Sequence, residues 1–195
     1  LTIEPGTRFE TMVRKGDFTP LDDDTCADLF NLTRAVTAAA GLPAYEISNH
    51  ARPGNESRHN LSYWRYDDYI GIGPGAHGRR LNYATQRHKK PENFMSAVDR
   101  NAHGISSEDH LDPASRATES LLMGLRLSEG ISLDRLSSRT GIAPDKMLDF
   151  TAVDKIARLG LITRDGDRFT VTPQGMPLLD AILPQIVAVE ADAAA

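Results

Sequence analysis

Cysteine is almost absent from this sequence: Cys26 is the only one in 195 residues. A single thiol excludes an internal disulfide, and it excludes an iron–sulfur cluster held by this chain alone, because such clusters need several thiolates. Long apolar runs are missing too. No window approaches the ~18 uncharged apolar residues of a spanning helix, and the first part of the chain lacks the basic-then-apolar pattern of a secretory signal. A cytoplasmic location is therefore the expectation. There is no G-x-S-x-G elbow, H-E-x-x-H helix or P-loop, so the common nucleophile, zinc and phosphate-cradle motifs are lacking. Four of the histidines, His50, His88, His103 and His110, show no metal-ligand spacing.

What remains is an ordinary globular composition, 40% hydrophobic and 25% charged, with length for one large domain or two small ones. The chain begins at Leu1, and LTIEPG reads as a buried strand running into a turn. That start leads us to expect a chain that has lost an N-terminal portion. TRFETMVRKGDFTPL reads as an irregular connection. DDDTCADLFNLTRAVTAAAG predicts a helix: Leu29, Leu32 and Val36 recur at helical spacing, Asp22 to Asp24 favour its start and Gly41 its end. AYEISNHA and YIGIG read as strands. Strand, helix and strand in that order predict βαβ units and a mainly parallel sheet.

RRLNYATQRH alternates apolar and polar residues as a strand or ribbon does, and PENFMSAVDRNAHG opens as a helix at Pro91 and closes at Gly104. A domain boundary is expected between residues 104 and 112. Beyond it, ASRATESLLMGLRLSEG, LDRLSSRTG and PDKMLDFTAVDKIARLG predict three helices. LITRDGDRFTVTPQG predicts two short strands around an Asp-Gly turn, and PLLDAILPQIV a closing helix. Helices followed by a small hairpin describe a winged-helix-like domain. The tail VEADAAA is expected to fray.

Charge is divided unevenly. Residues 1–104 carry 13 Lys+Arg and 13 Asp+Glu, whereas residues 105–195 carry 9 and 14. Winged helices that bind DNA need a positive face, so the acidic second half argues against nucleic acid as a partner. Within residues 50–90 the balance reverses to eight Lys+Arg against Glu56, Asp67 and Asp68, and all five tyrosines and the one tryptophan lie between residues 45 and 83. Aromatic faces beside guanidinium groups suit a flat anionic ligand, either a macrocycle with carboxylates or single-stranded nucleic acid; ordinary aromatic packing in surface loops is the plainer explanation.

Two motifs stand inside that window. GPGAHG, Gly73 to Gly78, satisfies G-x-G-x-x-G, yet Pro74 sits inside the supposed cradle and the following RRLNYATQ reads as a strand. A dinucleotide site needs a helix there. What is left is a tight turn or a close approach of backbone to a ligand. HNLSYW, His59 to Trp64, places His59 and Tyr63 on one face of a helical turn. Imidazole is a common axial ligand of haem iron, so His59 is a candidate ligand as well as a candidate structural residue, and His77 in the glycine turn is a second candidate. Glu4 and Glu46 lie at or near predicted strand ends, where buried or turn-capping carboxylates are common.

Taken together, LTIEPGT (1–7), YEISNHARPGNESRHNLSYW (45–64) and YIGIGPGAHG (69–78) resemble the C-terminal half of the HemW family. These are radical S-adenosylmethionine (SAM) proteins related to oxygen-independent coproporphyrinogen III oxidase. ESLLMGLRLSEGI and LGLITRDGDRFTVTPQG resemble that family's C-terminal domain. The resemblance implies an α/β fold: the C-terminal part of a partial (β/α)6 radical SAM barrel over residues 1–108, then a small winged-helix-like α+β domain over residues 109–195. It implies a haem chaperone that binds haem and delivers it to client proteins, with oxygen-independent coproporphyrinogen III oxidase as the alternative. The family's HN-x-x-Y-W motif, associated with haem, maps onto His59, Asn60, Tyr63 and Trp64, with His59 toward the iron and Arg58 and Arg65 beside the propionates. Gly71, Gly73 and Gly75 map near the SAM site. The family's C-x-x-x-C-x-x-C motif has no counterpart here. SAM and the [4Fe–4S] cluster are thus expected in the intact protein only, and this chain alone is expected to be inactive and to hold no catalytic residue. The implied partners are haem-accepting clients, some of them at membranes, and the oligomeric state is left open.

Overall fold

A computed structural model describes residues 3–188. The opening of the predicted first strand, Leu1 and Thr2, and the tail 189–195 predicted to fray lie outside the described residues; Ile3 and Glu4 carry no strand.

The first element is a helix where an irregular connection was predicted. Helix α1 (Arg8–Lys15) starts at Thr7, whose hydroxyl accepts from the Glu10 N–H, and ends at Gly16 in the left-handed region. Thr7 and Glu10 stand at capping-box spacing, and Glu10 reaches back to accept the Gly6 N–H at 2.7 Å. That signal was present in the sequence. Helix α2 (Asp23–Ala39) forms as predicted, capped by Asp22, but its predicted inward stripe is not the one used. Leu29, Leu32 and Val36 are exposed. The side that meets the rest of the chain carries Phe30, packed against the core, Arg34, which feels the charge of Glu46, and Thr37, hydrogen-bonded to His50. These three share a face at i, i+4 and i+7.

Helix α3 (Arg58–Trp64) is followed by a hairpin, β1 (His77–Arg80) and β2 (Tyr83–Arg87). Its two-residue turn has Leu81 and Asn82 both at positive φ, 50° and 68°, the mirror-image geometry that matches strand twist. The predicted ribbon is therefore present. Helix α4 (Pro91–Asn101) ends one residue beyond, at Ala102 in the left-handed region and before the predicted Gly104. The region expected to hold the boundary is strand β3 (Ile105–His110), which pairs with β2 and so runs across residue 108.

Helix α5 (Pro113–Gly124) leads to β4 (Ile131–Ser132) and α6 (Leu133–Thr140). The third predicted helix is two: Leu148 is extended, which separates α7 (Pro144–Met147) from α8 (Phe150–Arg158), and Asp149 caps the latter by accepting from Thr151 and Ala152. The hairpin β5 (Ile162–Asp165) and β6 (Arg168–Val171) follows, then α9 (Leu179–Ile186).

Both sheets are three-stranded, ordered β1-β2-β3 and β4-β6-β5, and every strand pair in them is antiparallel. The predicted mainly parallel sheet is corrected for the described residues. The two-residue turns between β1 and β2 and between β5 and β6 force those strands to reverse, and β2 with β3, joined through α4, and β4 with β6 are antiparallel as well. AYEIS and YIGIG form only isolated bridges, Ala44 to His50, Glu46 to Leu127 and Tyr69 to Arg79.

The core lies almost wholly in the second half. Leu121, Leu125, Leu133, Met147, Phe169, Leu179 and Ile186 form one buried cluster, against which Phe30 and Ile47 pack from the first half. The halves are further joined by backbone: Ser128 donates its N–H to Tyr45 O and its hydroxyl to Ala44 O.

Candidate functional site

Helix α3 carries the HNLSYW motif at the seam between the halves. Ser57 caps it by accepting the Asn60 N–H. Three motif residues are anchored. Asn60 donates from Nδ2 to the Tyr45 hydroxyl at 3.2 Å. Tyr63 packs its ring 5.6 Å from Trp64, edge-on, and 5.6 Å from Tyr69. Trp64 receives the Arg126 guanidinium at 5.8 Å. His59 differs: it is exposed, and neither ring nitrogen has a partner among the described residues. The spacing that put His59 and Tyr63 on one helical face thus separates them by depth, because Tyr63 sits a turn closer to the packed seam.

Arg65, at the end of α3, is paired within the chain, with Glu129. Its Nε and Nη2 donate to both Glu129 oxygens at 2.7 and 2.9 Å, a two-point geometry that fixes both side chains. The hydrogen-bonded Arg65 guanidinium holds the Glu129 carboxyl below the usual range, against a smaller opposing effect of burial. Arg58 is exposed. Beside α3 a cleft of about 290 Å³ opens, lined by Trp64, Arg65, Glu129, Arg135, Arg139 and Arg168.

Sequence reading missed the second cluster at the seam. Tyr66 follows with φ at 59°, a conformation a bulky residue rarely adopts. Its buried hydroxyl donates to Glu119 Oε2 at 2.6 Å, and Arg79 donates to the same oxygen at 3.0 Å while lying 3.6 Å over the Tyr66 ring. The three residues come from a loop, β1 and α5. Separations of 40 and 53 positions left no local signal for the contacts.

Burial, then the hydrogen bond to Glu119, pushes the Tyr66 phenol well above its ordinary 10.0. The sign of the linkage follows. The folded state keeps a proton that the unfolded chain releases above pH 10.0, so this contribution is complete below that pH and is lost as pH rises toward the folded value. Thermal unfolding from pH 8 to about 11 should show the midpoint of the wild type falling more steeply than that of Tyr66→Phe; parallel curves would contradict it.

The glycine segment resolves into a turn and a close approach. Gly73 and Gly75 have φ of 91° and 73°, and a Cβ would meet nothing nearer than 3.8 Å. At Gly71 a Cβ would lie 2.1 Å from the His77 carbonyl oxygen. Its own carbonyl accepts from Arg87 Nε at 2.6 Å. The close approach at Gly71 is thus to the chain's own backbone. Strand β1 follows, not a helix, so no helix N-terminus faces this turn. His77 is exposed at the first position of β1. Glu46 is fully buried, with Oε2 accepting the Ser48 N–H at 3.0 Å, and Glu4 is exposed. Among the described residues no group of three or more His, Cys, Asp or Glu could hold a metal ion, and no helix is long and apolar enough to cross a membrane.

Residues 111–178 match the HemN C-terminal domain family. The heme chaperone HemW of Mycobacterium tuberculosis (strain H37Rv) is 34% identical over 183 residues, which is 94% of this chain and 45% of that protein. HemW of Escherichia coli K12 is 32% identical, covering 96% of this chain and 48% of the relative. The chain belongs to the HemW family.

A mouse member of this radical SAM group, the mitochondrial radical S-adenosyl methionine domain-containing protein 1, is 33% identical over 94% of the chain and 44% of its own length. The chain spans just under half the length of these curated relatives. Among solved structures, E. coli coproporphyrinogen III oxidase HemN, described as a radical SAM enzyme, matches with a TM-score of 0.60 at 16% identity, over 80% of this chain and 39% of that one. At that identity the likeness is one of fold: a mixed helix and sheet architecture shared by the HemW family chain and HemN. The cluster that radical SAM chemistry requires does not fit the residues present, since Cys26 is the single, exposed thiol.

Proposed function

We propose that this chain supplies the haem-presenting part of a HemW-type haem chaperone, with His59 as an axial ligand to the iron. One observation carries the reading. Within the HN-x-x-Y-W motif, Asn60, Tyr63 and Trp64 are tied into the seam, while His59 stands exposed with both ring nitrogens unpartnered among the described residues. A neutral imidazole ligates iron through one ring nitrogen. On a short helix at the surface, His59 would hold the iron through a ring nitrogen, and its exposure would leave the bound haem within reach of a client. Asn60, Tyr63 and Trp64 then serve the site by holding α3 in place.

On this reading the bridged segments AYEIS and YIGIG are closing strands of a partial radical SAM barrel over residues 1–108, and residues 109–195 form the winged-helix-like unit, in which α5, α6 and α8 back the β4-β6-β5 sheet. SAM, in the intact protein, would approach the open backbone of Gly73 and Gly75; the space at Gly71 is already filled by His77. The haem-accepting clients, the cytoplasmic setting and any membrane contact through those clients belong to the same proposal.

Titration of hemin, followed by the Soret band, tests it. His59→Ala should bind at least about tenfold more weakly than the wild type, equivalent to about 1.4 kcal/mol, and its Soret maximum should differ. Identical spectra and affinities would remove His59 as a ligand.

A further inference from the structure

The cleft of about 290 Å³ beside α3 is walled by Trp64, Leu127 and Ile131 and reaches inward to Ser120. Ser120 also lines a second seam cleft of about 280 Å³, and so stands between the two. It is 7% exposed, and its hydroxyl has no hydrogen-bond partner among the described residues. A serine within a helix ordinarily bonds the carbonyl one turn back or turns to solvent. Ser120, on α5, does neither. The polar atoms enclosed without a partner belong to Arg34, Glu46, Arg79 and Arg116. The Ser120 Oγ is not one of them, so it opens onto the cleft that it lines. A hydroxyl so placed favours a ligand group that completes its hydrogen bonding.

The surface rim of the cleft is basic. Residues 105–195 carry only nine Lys+Arg, yet three of them, Arg135, Arg139 and Arg168, line this cleft together with Arg65. Among the described residues two carboxylates pair with these guanidinium groups. Glu129 takes Arg65 on both oxygens, and one Asp67 oxygen stands 3.4 Å from both Arg135 and Arg139. Asp167 accepts from the Ser132 hydroxyl. Arg168 has no carboxylate within 4 Å among the described residues; Glu129 feels its charge from further away but is held by Arg65. Arg168 is exposed, and its guanidinium bonds a neutral oxygen, Glu129 O, at 3.3 Å. Most of its N–H groups are therefore open to a ligand.

We propose that this cleft binds a small aromatic carboxylate that carries a hydroxyl group: the carboxylate accepts from Arg168 at the rim, the ring lies against Trp64, Leu127 and Ile131, and the hydroxyl meets Ser120 within. Aromatic and aliphatic walls suit a ring, and the guanidinium fork suits a carboxylate. The volume lies near the lower end of ligand pockets, roughly 300 Å³, which fits one ring with short substituents and is too small to enclose a tetrapyrrole. The site does not depend on the haem reading. His59 and Trp64 stand five residues apart on α3, about 140° round the helix axis, so a group ligated by His59 lies on a different side from the cleft.

The probes are para-hydroxyphenylacetate, phenylacetate and acetate, each titrated into the full chain at constant ionic strength to about 10 mM. Trp64 is the only tryptophan, so the single indole N–H resonance of the 15N-labelled protein reports on this cleft. Both aromatic acids should shift it saturably and acetate should not, with para-hydroxyphenylacetate binding about threefold or more tightly than phenylacetate. Ser120→Ala should abolish that advantage and leave phenylacetate binding unchanged. Arg168→Gln should weaken both acids by about tenfold, and Arg168→Lys should recover part of the loss. No shift with either aromatic acid, an equal shift with acetate, no advantage of the hydroxyl in the wild type, or undiminished binding by Arg168→Gln would each overturn the proposal. The wild-type titrations stand even where a variant folds poorly.

Discussion

Phe169→Ala is expected to destabilise the chain by about 3–5 kcal/mol, enough to move a urea unfolding midpoint well outside experimental error. Phe169 is fully buried and sits on β6, the middle strand of its sheet, opposite Ile131 on one side and Arg164 on the other. Its ring is among the largest fully buried side chains, packed with Leu133, Met147 and Leu179 in the one core cluster. Truncation would leave a cavity that the two flanking strands cannot close without breaking their pairing with β6. A small domain has about 5–15 kcal/mol of stability in all. A midpoint unchanged in equilibrium unfolding would mean that the second half is not the stability centre described above.

Gly71→Ala is expected to cost about 3 kcal/mol, at the upper end of overpacking effects. The new methyl would be placed 2.1 Å from the His77 carbonyl oxygen and 2.7 Å from its carbon, and backbone cannot move aside as a flexible side chain can. The bridge from Tyr69 to Arg79, in which each N–H donates to the other's carbonyl at 2.7 and 2.9 Å, lies just outside this contact and should open with it. Amide exchange at Tyr69 and Arg79 should speed up markedly in the variant. Gly73→Ala, by contrast, meets no atom within 4 Å and carries only the strain of its positive φ, so it should be milder. If the two variants behaved alike, close backbone contact would not be the reason for Gly71.

The sequence was most legible where signals are local. Asp22 before α2, Pro91 at the start of α4 and Gly166 between β5 and β6 each act within a few residues, and each marks its element in the structure. The turn itself is Gly166 and Asp167, and the predicted Asp165 still pairs with Arg168 in the strands. The same local chemistry would have revealed α1 from Thr7, Glu10 and Gly16, had the capping spacing been weighed against the low apolar content of TRFETMVRK. Periodicity was less reliable for facing. In α2 the apolar stripe Leu29, Leu32 and Val36 is exposed, and a polar face holding Arg34 and Thr37 is turned inward, because Glu46 and His50 stand there to receive it. A helical pattern shows which residues share a face. It does not show which face finds a partner.

For the candidate site the division is sharper. Residue types and motif spacing by themselves singled out HNLSYW and the glycine run, set the charge of the second half against nucleic acid, and supported membership of the HemW family, since these properties are carried by neighbouring residues. Only the tertiary structure decided that His59 alone of its motif is exposed rather than half-buried, that Arg65 is paired with Glu129, and that Arg79, Tyr66 and Glu119 meet at the seam. Those outcomes depend on burial and on contacts between residues 40 to 64 positions apart. Chain spacing carries no information about them until packing has brought the two halves together.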